Sequence, residues 1–161
     1  MAQEYEHEIP LLDATVAVNA RQRKRVIGKL QGELHTLKGK HIALLGLSYK
    51  PNTDDLREAP SLTIASSLDA LGARVVGYDP VAGKAAAERL PFLKVVFDPY
   101  EAVRGAHAAV VVSEWEEVRT LELKRAGALM EKPKALVDGR NAFEPALTLE
   151  AGLCYRGIGR G

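Results

Sequence analysis

The stretch GLSYKPNTDDLREAP, residues 46–60, stands between an apolar run, IALLGL, and an apolar helical pattern, SLTIASSLDALG. Strand, loop and helix in that order form the opening unit of a nucleotide-binding sheet, where the first loop normally holds phosphate on glycine-rich backbone. This loop has Gly46 alone and carries Lys50, Asp54, Asp55, Arg57 and Glu58. Without the G-x-G-x-x-G spacing the backbone cannot close on a pyrophosphate, and the acidic groups would repel an anion at the helix N-terminus. The residues therefore argue against a dinucleotide cradle. Lys50 and Arg57 can still meet a phosphate through their side chains. The other reading is that the loop's charges pair among themselves in solvent.

Outward from that unit, strands and helices alternate. HIALLGL, RVVGYDP, KVVF, AAVVVS, KALVDG and LCYRGIG read as strands, with helices predicted over 61–71, 81–90, 99–104, 121–130 and 145–151. The strands are β-branched runs with little polar alternation, as expected when both faces are covered. The pattern predicts an α/β fold: a Rossmann-like, doubly wound parallel sheet of six strands ordered 3-2-1-4-5-6. Ahead of it, residues 11–37 read as one long helix. Leu12, Val16, Val26, Ile27, Leu30, Leu34 and Leu37 form its apolar stripe, which Asn19 and Arg23 interrupt. At about 1.5 Å per residue such a helix is about 40 Å long, more than a small domain needs.

Bulk properties narrow the class. The chain has 161 residues, 47% of them apolar, and a net charge of +1, which speaks for one well-cored domain and against a general nucleic-acid or membrane binder. No apolar run approaches the roughly 20 residues of a membrane span, and the start, MAQEYEHEIP, has no signal-peptide core. One cysteine, Cys154, allows no internal disulfide, so the cytoplasm is the expected compartment. His7, His35, His41 and His107 lack metal-ligand spacing.

Ligands of such sheets bind beyond the carboxyl ends of the strands. At the second exit, Asp79 holds the position of a ribose-binding acid, or else it is a turn and helix cap. At the fourth, Trp115 can stack on a base or pack at the edge of the core. At the fifth, Arg140 in DGRN points a guanidinium at the crevice, or forms a structural ion pair. The terminal GIGRG has no helix after it and is not a phosphate loop. Cys154 falls inside the last strand, where a buried thiol is inert.

GKHIALLGLSYKPNTDDLREAPSL resembles the opening of the C-terminal domain of the UDP-glucose/GDP-mannose dehydrogenase family. GYDPVA, SEWEEVRTLEL, DGRNAFEP and YRGIGR follow in the family's order, so the likeness runs over residues 11–161, and KPNTDDLREAPS with EWEEVR looks most like the UDP-glucose 6-dehydrogenase branch. The resemblance implies a UDP-sugar-binding domain over residues 39–161 and, over 1–38, the remnant of a central helix that forms a homodimer. It implies that Tyr49, Lys50 and Arg140 contact the UDP-sugar. Arg57 would reach an NAD held mainly by a separate N-terminal domain. The loop would then be a two-sided clamp.

Such enzymes oxidise the sugar's primary alcohol to a carboxylate with two NAD per turnover, through a cysteine-bound thioester that is hydrolysed. The motif positions of that cysteine, its assisting residues and the dinucleotide loop have no counterpart in this sequence, so no catalytic residue is assigned, and the isolated chain is expected to bind nucleotide without catalysing. The full enzyme would serve nucleotide-sugar metabolism and polysaccharide biosynthesis. The alternatives are a stand-alone Rossmann-like nucleotide-binding protein and a module whose long helix recruits a partner.

Overall fold

The computed structural model describes residues 10–159. His7, Arg160, Gly161 and the side chains of Leu12, Val16 and Asn19 lie outside the described residues.

Helix α1 (Pro10–Leu34) leads into β1 (His41–Leu45), and the alternation continues through α2 (Pro60–Ala70), β2 (Arg74–Tyr78), α3 (Gly83–Arg89), β3 (Lys94–Val96), α4 (Pro99–Val103) and β4 (Ala108–Val111). After β4 come α5 (Glu116–Arg119), α6 (Leu123–Leu129), β5 (Ala135–Asp138), α7 (Pro145–Glu150) and β6 (Cys154–Gly157). The six strands form one sheet in the order β3-β2-β1-β4-β5-β6, parallel throughout, as the sequence predicts.

Strand residues alternate between two cores. Ile42 and Leu44 of β1 face the side covered by α1, α2 and α3, while Ala43 and Leu45 face the side covered by α4 to α7. Both faces are therefore apolar, which is why the strands lack polar alternation. The second half of α1 belongs to the first core: Val26, Leu30, Leu34 and the following Leu37 are buried there. Full burial of a leucine such as Leu30 contributes roughly 1.5–3 kcal/mol. A salt bridge of 2.7 Å from Arg156 of β6 to Glu33 also ties α1 to the sheet.

The element ends differ from expectation where a local contact intervenes. α1 closes at Leu34 because His35 turns left-handed at φ +60° and donates its N–H to Gln31. α3 starts at Gly83, after a turn in which the Asp79 carboxylate caps the Val81 and Ala82 N–H groups. The expected helix over 121–130 is present as α6 from Leu123, just after the Glu122 N–H donates to the Tyr100 hydroxyl, and a short helix that was not expected, α5, forms ahead of it directly after Trp115. Among the described residues no helix is long and apolar enough to cross a membrane.

Candidate functional site

Glycine at the first exit serves packing. Gly46 has φ +86°, and a β-carbon there would lie 2.5 Å from Ser113 at the end of β4. The next two N–H groups, of Leu47 and Ser48, donate to Asp79 Oδ2 at 2.8 and 2.9 Å. Trp115 Nε1 donates to the same oxygen at 3.1 Å, and Val81 and Ala82 N–H donate to Oδ1 at 2.9 and 2.7 Å. Asp79 is fully buried. Its carboxylate is thus a structural joint between the exits of β1, β2 and β4, and Trp115 packs at the core edge with its indole N–H satisfied there. Beside this joint the Tyr78 phenol is pushed up to about 12, first by burial and then by Glu117, Asp79 and Asp98, so it stays neutral.

The loop 48–59 folds on itself. Tyr49 N–H donates to the Asp55 carbonyl at 2.8 Å, the Ser48 hydroxyl to the Lys50 carbonyl at 3.0 Å, and the Ser61 hydroxyl back to the Leu47 carbonyl. Asp55 is gripped by Arg57 three times: by its backbone N–H at 2.9 Å, by Nε at 3.0 Å and by Nη2 at 2.9 Å. Those bonds hold the Asp55 carboxyl down to about 2 and raise the Arg57 guanidinium above its ordinary value. The pair is the reading in which loop charges neutralise one another. It applies to Arg57 and Asp55, while Lys50 stands exposed.

At the fifth exit a second buried aspartate sets the turn. Asp138 accepts from the Arg140 N–H at 3.1 Å, the Phe143 N–H at 2.9 Å and the Tyr155 hydroxyl at 3.3 Å. Gly139 is required because a β-carbon would meet the Val111 carbonyl at 2.6 Å. The turn presents Arg140 outward, where its Nη2 pairs with Glu114 at 3.3 Å, both side chains being part exposed.

Above β4 and β5, between α1 and the start of α2, lies a cavity of about 540 Å³. Val26, Ile64, Ile158 and the end of β4 make its apolar lining. Tyr49, which is 52% exposed, and Arg140 both border it, together with Arg23, Glu58 and Thr63. Two of the expected substrate residues, Tyr49 and Arg140, are therefore brought to one cavity; Lys50 and Arg57 do not line it. Sequence reading missed Arg23 and Glu58 as cavity residues. Arg23 had left a trace, as a charge interrupting the apolar stripe of α1. A second, polar cavity of about 470 Å³ lies among the loops after β1, β4 and β5, bordered by Asn52, Glu114, Arg119 and Asn141. Among the described residues no His, Cys, Asp and Glu group is arranged to hold a metal ion.

Residues 43–145 match the UDP-glucose/GDP-mannose dehydrogenase family, UDP binding domain. The chain belongs to this family. It is 41% identical over 156 residues to a UDP-glucose 6-dehydrogenase of Bacillus subtilis, covering 96% of this chain and 35% of that protein. Among solved structures it is similar to a UDP-glucose dehydrogenase of Pyrobaculum islandicum, with a TM-score of 0.76 and 28% identity over 90% of this chain and 31% of that one. It is similar as well to a UDP-D-ManNAc dehydrogenase of Pyrococcus horikoshii, with a TM-score of 0.77 and 26% identity over 98% of this chain and 35% of that one. The chain thus spans about a third of the length of these relatives.

The family match contains the β1, β2 and β5 exits but not Arg23. Within this UDP-binding domain the dinucleotide position of an ordinary Rossmann sheet does not fit NAD. Both oxygens of Asp79 are taken by the protein's own donors, and Gly46 is packed under Ser113. The exit of β1 to β2 is closed by internal hydrogen bonds, and the open space lies above β4 and β5.

Proposed function

We propose that the chain holds the UDP part of a UDP-sugar in the cavity above β4 and β5, as the nucleotide-binding domain of an NAD-dependent UDP-glucose 6-dehydrogenase that makes UDP-glucuronate. The observation that carries this reading is the meeting of Tyr49 and Arg140 around an apolar floor in a chain of this family. A uracil ring fits an apolar slot with a phenol at its rim, and a guanidinium is suited to bind phosphate in a bidentate manner. Arg140 is free to do so at small cost. A part-exposed pair such as Arg140–Glu114 is worth about 0–1 kcal/mol, whereas a hydrogen bond to a charged phosphate is worth about 1.5–3 kcal/mol.

In this reading Lys50 supplies a second cation from the exposed loop, and Arg57 serves the cofactor side of the clamp toward an NAD bound outside this domain. Residues 1–38 act as the assembly helix of a homodimer, supported by an apolar stripe that starts at Leu12, ahead of the buried Val26. The protein works in the cytoplasm, and the chain alone produces no NADH from UDP-glucose.

Calorimetry with UDP, UDP-glucose and GDP-mannose tests the reading. UDP and UDP-glucose should bind and GDP-mannose should bind more weakly. No heat with either uridine ligand, or equal affinity for GDP-mannose, overturns it. Sedimentation with and without residues 1–37 tests the helix: monomers in both cases remove the assembly role.

A further inference from the structure

Arg57 and Arg140 each already hold a carboxylate. Two other charged side chains border the cavity with no ion-pair or hydrogen-bond partner among the described residues: Arg23 of α1 and Glu58 of the β1–α2 loop. Opposite charges lining one cavity would pair if they could reach each other; these do not pair, and the cavity's space lies among them. A ligand that meets both carries an anion for Arg23, a hydrogen-bond donor for Glu58 and apolar surface for Val26 and Ile64. A ribonucleotide has all three.

Glu58 gives a second, independent observation. Its φ is +53°, in the left-handed region. Glycine takes that conformation freely, whereas a glutamate does so against the clash of its β-carbon with the backbone. Such strain persists where surrounding structure enforces it, and it gathers at ligand sites. Here the Ala59 N–H donates to the Leu56 carbonyl at 3.3 Å and Pro60 starts α2, so the turn is fixed on its far side. Glu58 thus stands on the cavity wall with its backbone held in a conformation that glycine takes freely.

We propose that Arg23 and Glu58 are ligand-binding residues of this cavity, Arg23 holding a phosphate of the nucleotide and Glu58 accepting from its ribose hydroxyls. The proposal rests on the cavity's being the UDP site. It makes α1 a wall of the binding site as well as an assembly element, and it makes the site selective for ribose over 2′-deoxyribose.

Calorimetry with UDP and 2′-deoxy-UDP, beside thermal melting and sedimentation, tests it. Arg23→Ala should weaken UDP about ten- to a hundred-fold without changing the sedimentation coefficient, and Arg23→Lys should recover part of the loss. Glu58→Gln should bring UDP and 2′-deoxy-UDP to similar affinities. Glu58→Gly should do the same while melting at or above the parent's temperature, because the backbone strain is relieved. Parental UDP affinity and parental ribose preference in Arg23→Ala and Glu58→Gln overturn the proposal while leaving the UDP site intact. A Glu58→Gly chain that melts lower and binds as the parent does assigns the strained turn to folding, and also overturns it. Failure of the parent chain to bind UDP removes the functional reading itself.

Discussion

Asp55 and Asp79 are both carboxylates at strand exits of the same sheet, and they have opposite fates. Asp79 is fully buried, and four backbone N–H groups and an indole from three separate chain segments converge on it. Asp55 sits on a loop, and its ion-pair partner lies two residues away on a guanidinium that is 84% exposed. The position that a dinucleotide fold reserves for binding ribose is thus used to lock the crevice shut, while the charges that look most engaged in the sequence neutralise one another at the surface. Burial decides which: a carboxylate that loses water must have every lone pair satisfied, and then has none left for a ligand.

The contrast can be broken most severely at the buried end. Asp79→Ala leaves the N–H groups of three exits without acceptors and should lower unfolding stability by about 3–5 kcal/mol, read from the denaturant midpoint. A loss near zero would mean that water replaces the carboxylate and that the exit is not closed. Gly46→Ala attacks the same joint by steric means. With φ +86° and Ser113 2.5 Å from the new β-carbon, it should cost about 2–4 kcal/mol in the same measurement.

Binding sharpens the contrast between paired cations. Arg140→Ala and Lys50→Ala should each weaken UDP about ten- to a hundred-fold by calorimetry, whereas Arg57→Ala should leave UDP affinity within error. Equal losses in all three would put the Asp55–Arg57 pair inside the UDP site and erase the division of the loop into a nucleotide side and a cofactor side.

The smaller effects lie in pH. His107, at the opposite end of the sheet, accepts from the His41 N–H through Nδ1 at 3.1 Å, and burial, then Lys40 and His41, lower its pKa against a partial rise from Glu131. With the folded value below the unfolded one near 6.5, its contribution is complete above that value and is lost as pH falls through the folded pKa. His107→Gln should therefore flatten the melting temperature's decline from pH 6.5 to 5. Asp55 titrates from 3.8 in the unfolded chain to about 2 in the folded one, so any contribution it makes is lost only as pH falls through that lower window. Since the pair is exposed, Asp55→Asn should leave stability at pH 7 unchanged, the smallest effect in the series.

The sheet was legible because its signals are local and repeated. Apolar runs such as IALLGL and AAVVVS, set between helical patterns, mark the elements, and six βα units in succession point to the doubly wound order that the sheet has. Element ends were less legible. The Asp79 carboxylate caps a local turn ahead of α3, and the Glu122 N–H just before α6 donates to the Tyr100 hydroxyl, a residue far away in sequence. The same limit applied to the site. DGRN marked Arg140 by its place at a strand exit, Tyr49 was marked only by the family resemblance, and topology alone brings the two exits to one cavity. Arg23 lies on a helix ahead of the sheet, and only the packing of Val26 and Leu30 against the first core carries it to the cavity. Glu58 is one of five charged residues in its loop, and its distinction is a backbone angle set by the turn that closes onto α2. Sequence by itself determined what periodicity and motif order encode: a parallel α/β domain of the UDP-glucose/GDP-mannose dehydrogenase family. Tertiary structure decided which carboxylate is structural, which cations are paired and which charged side chains border the cavity, because burial and pairing depend on distances between segments that have no spacing in common along the chain.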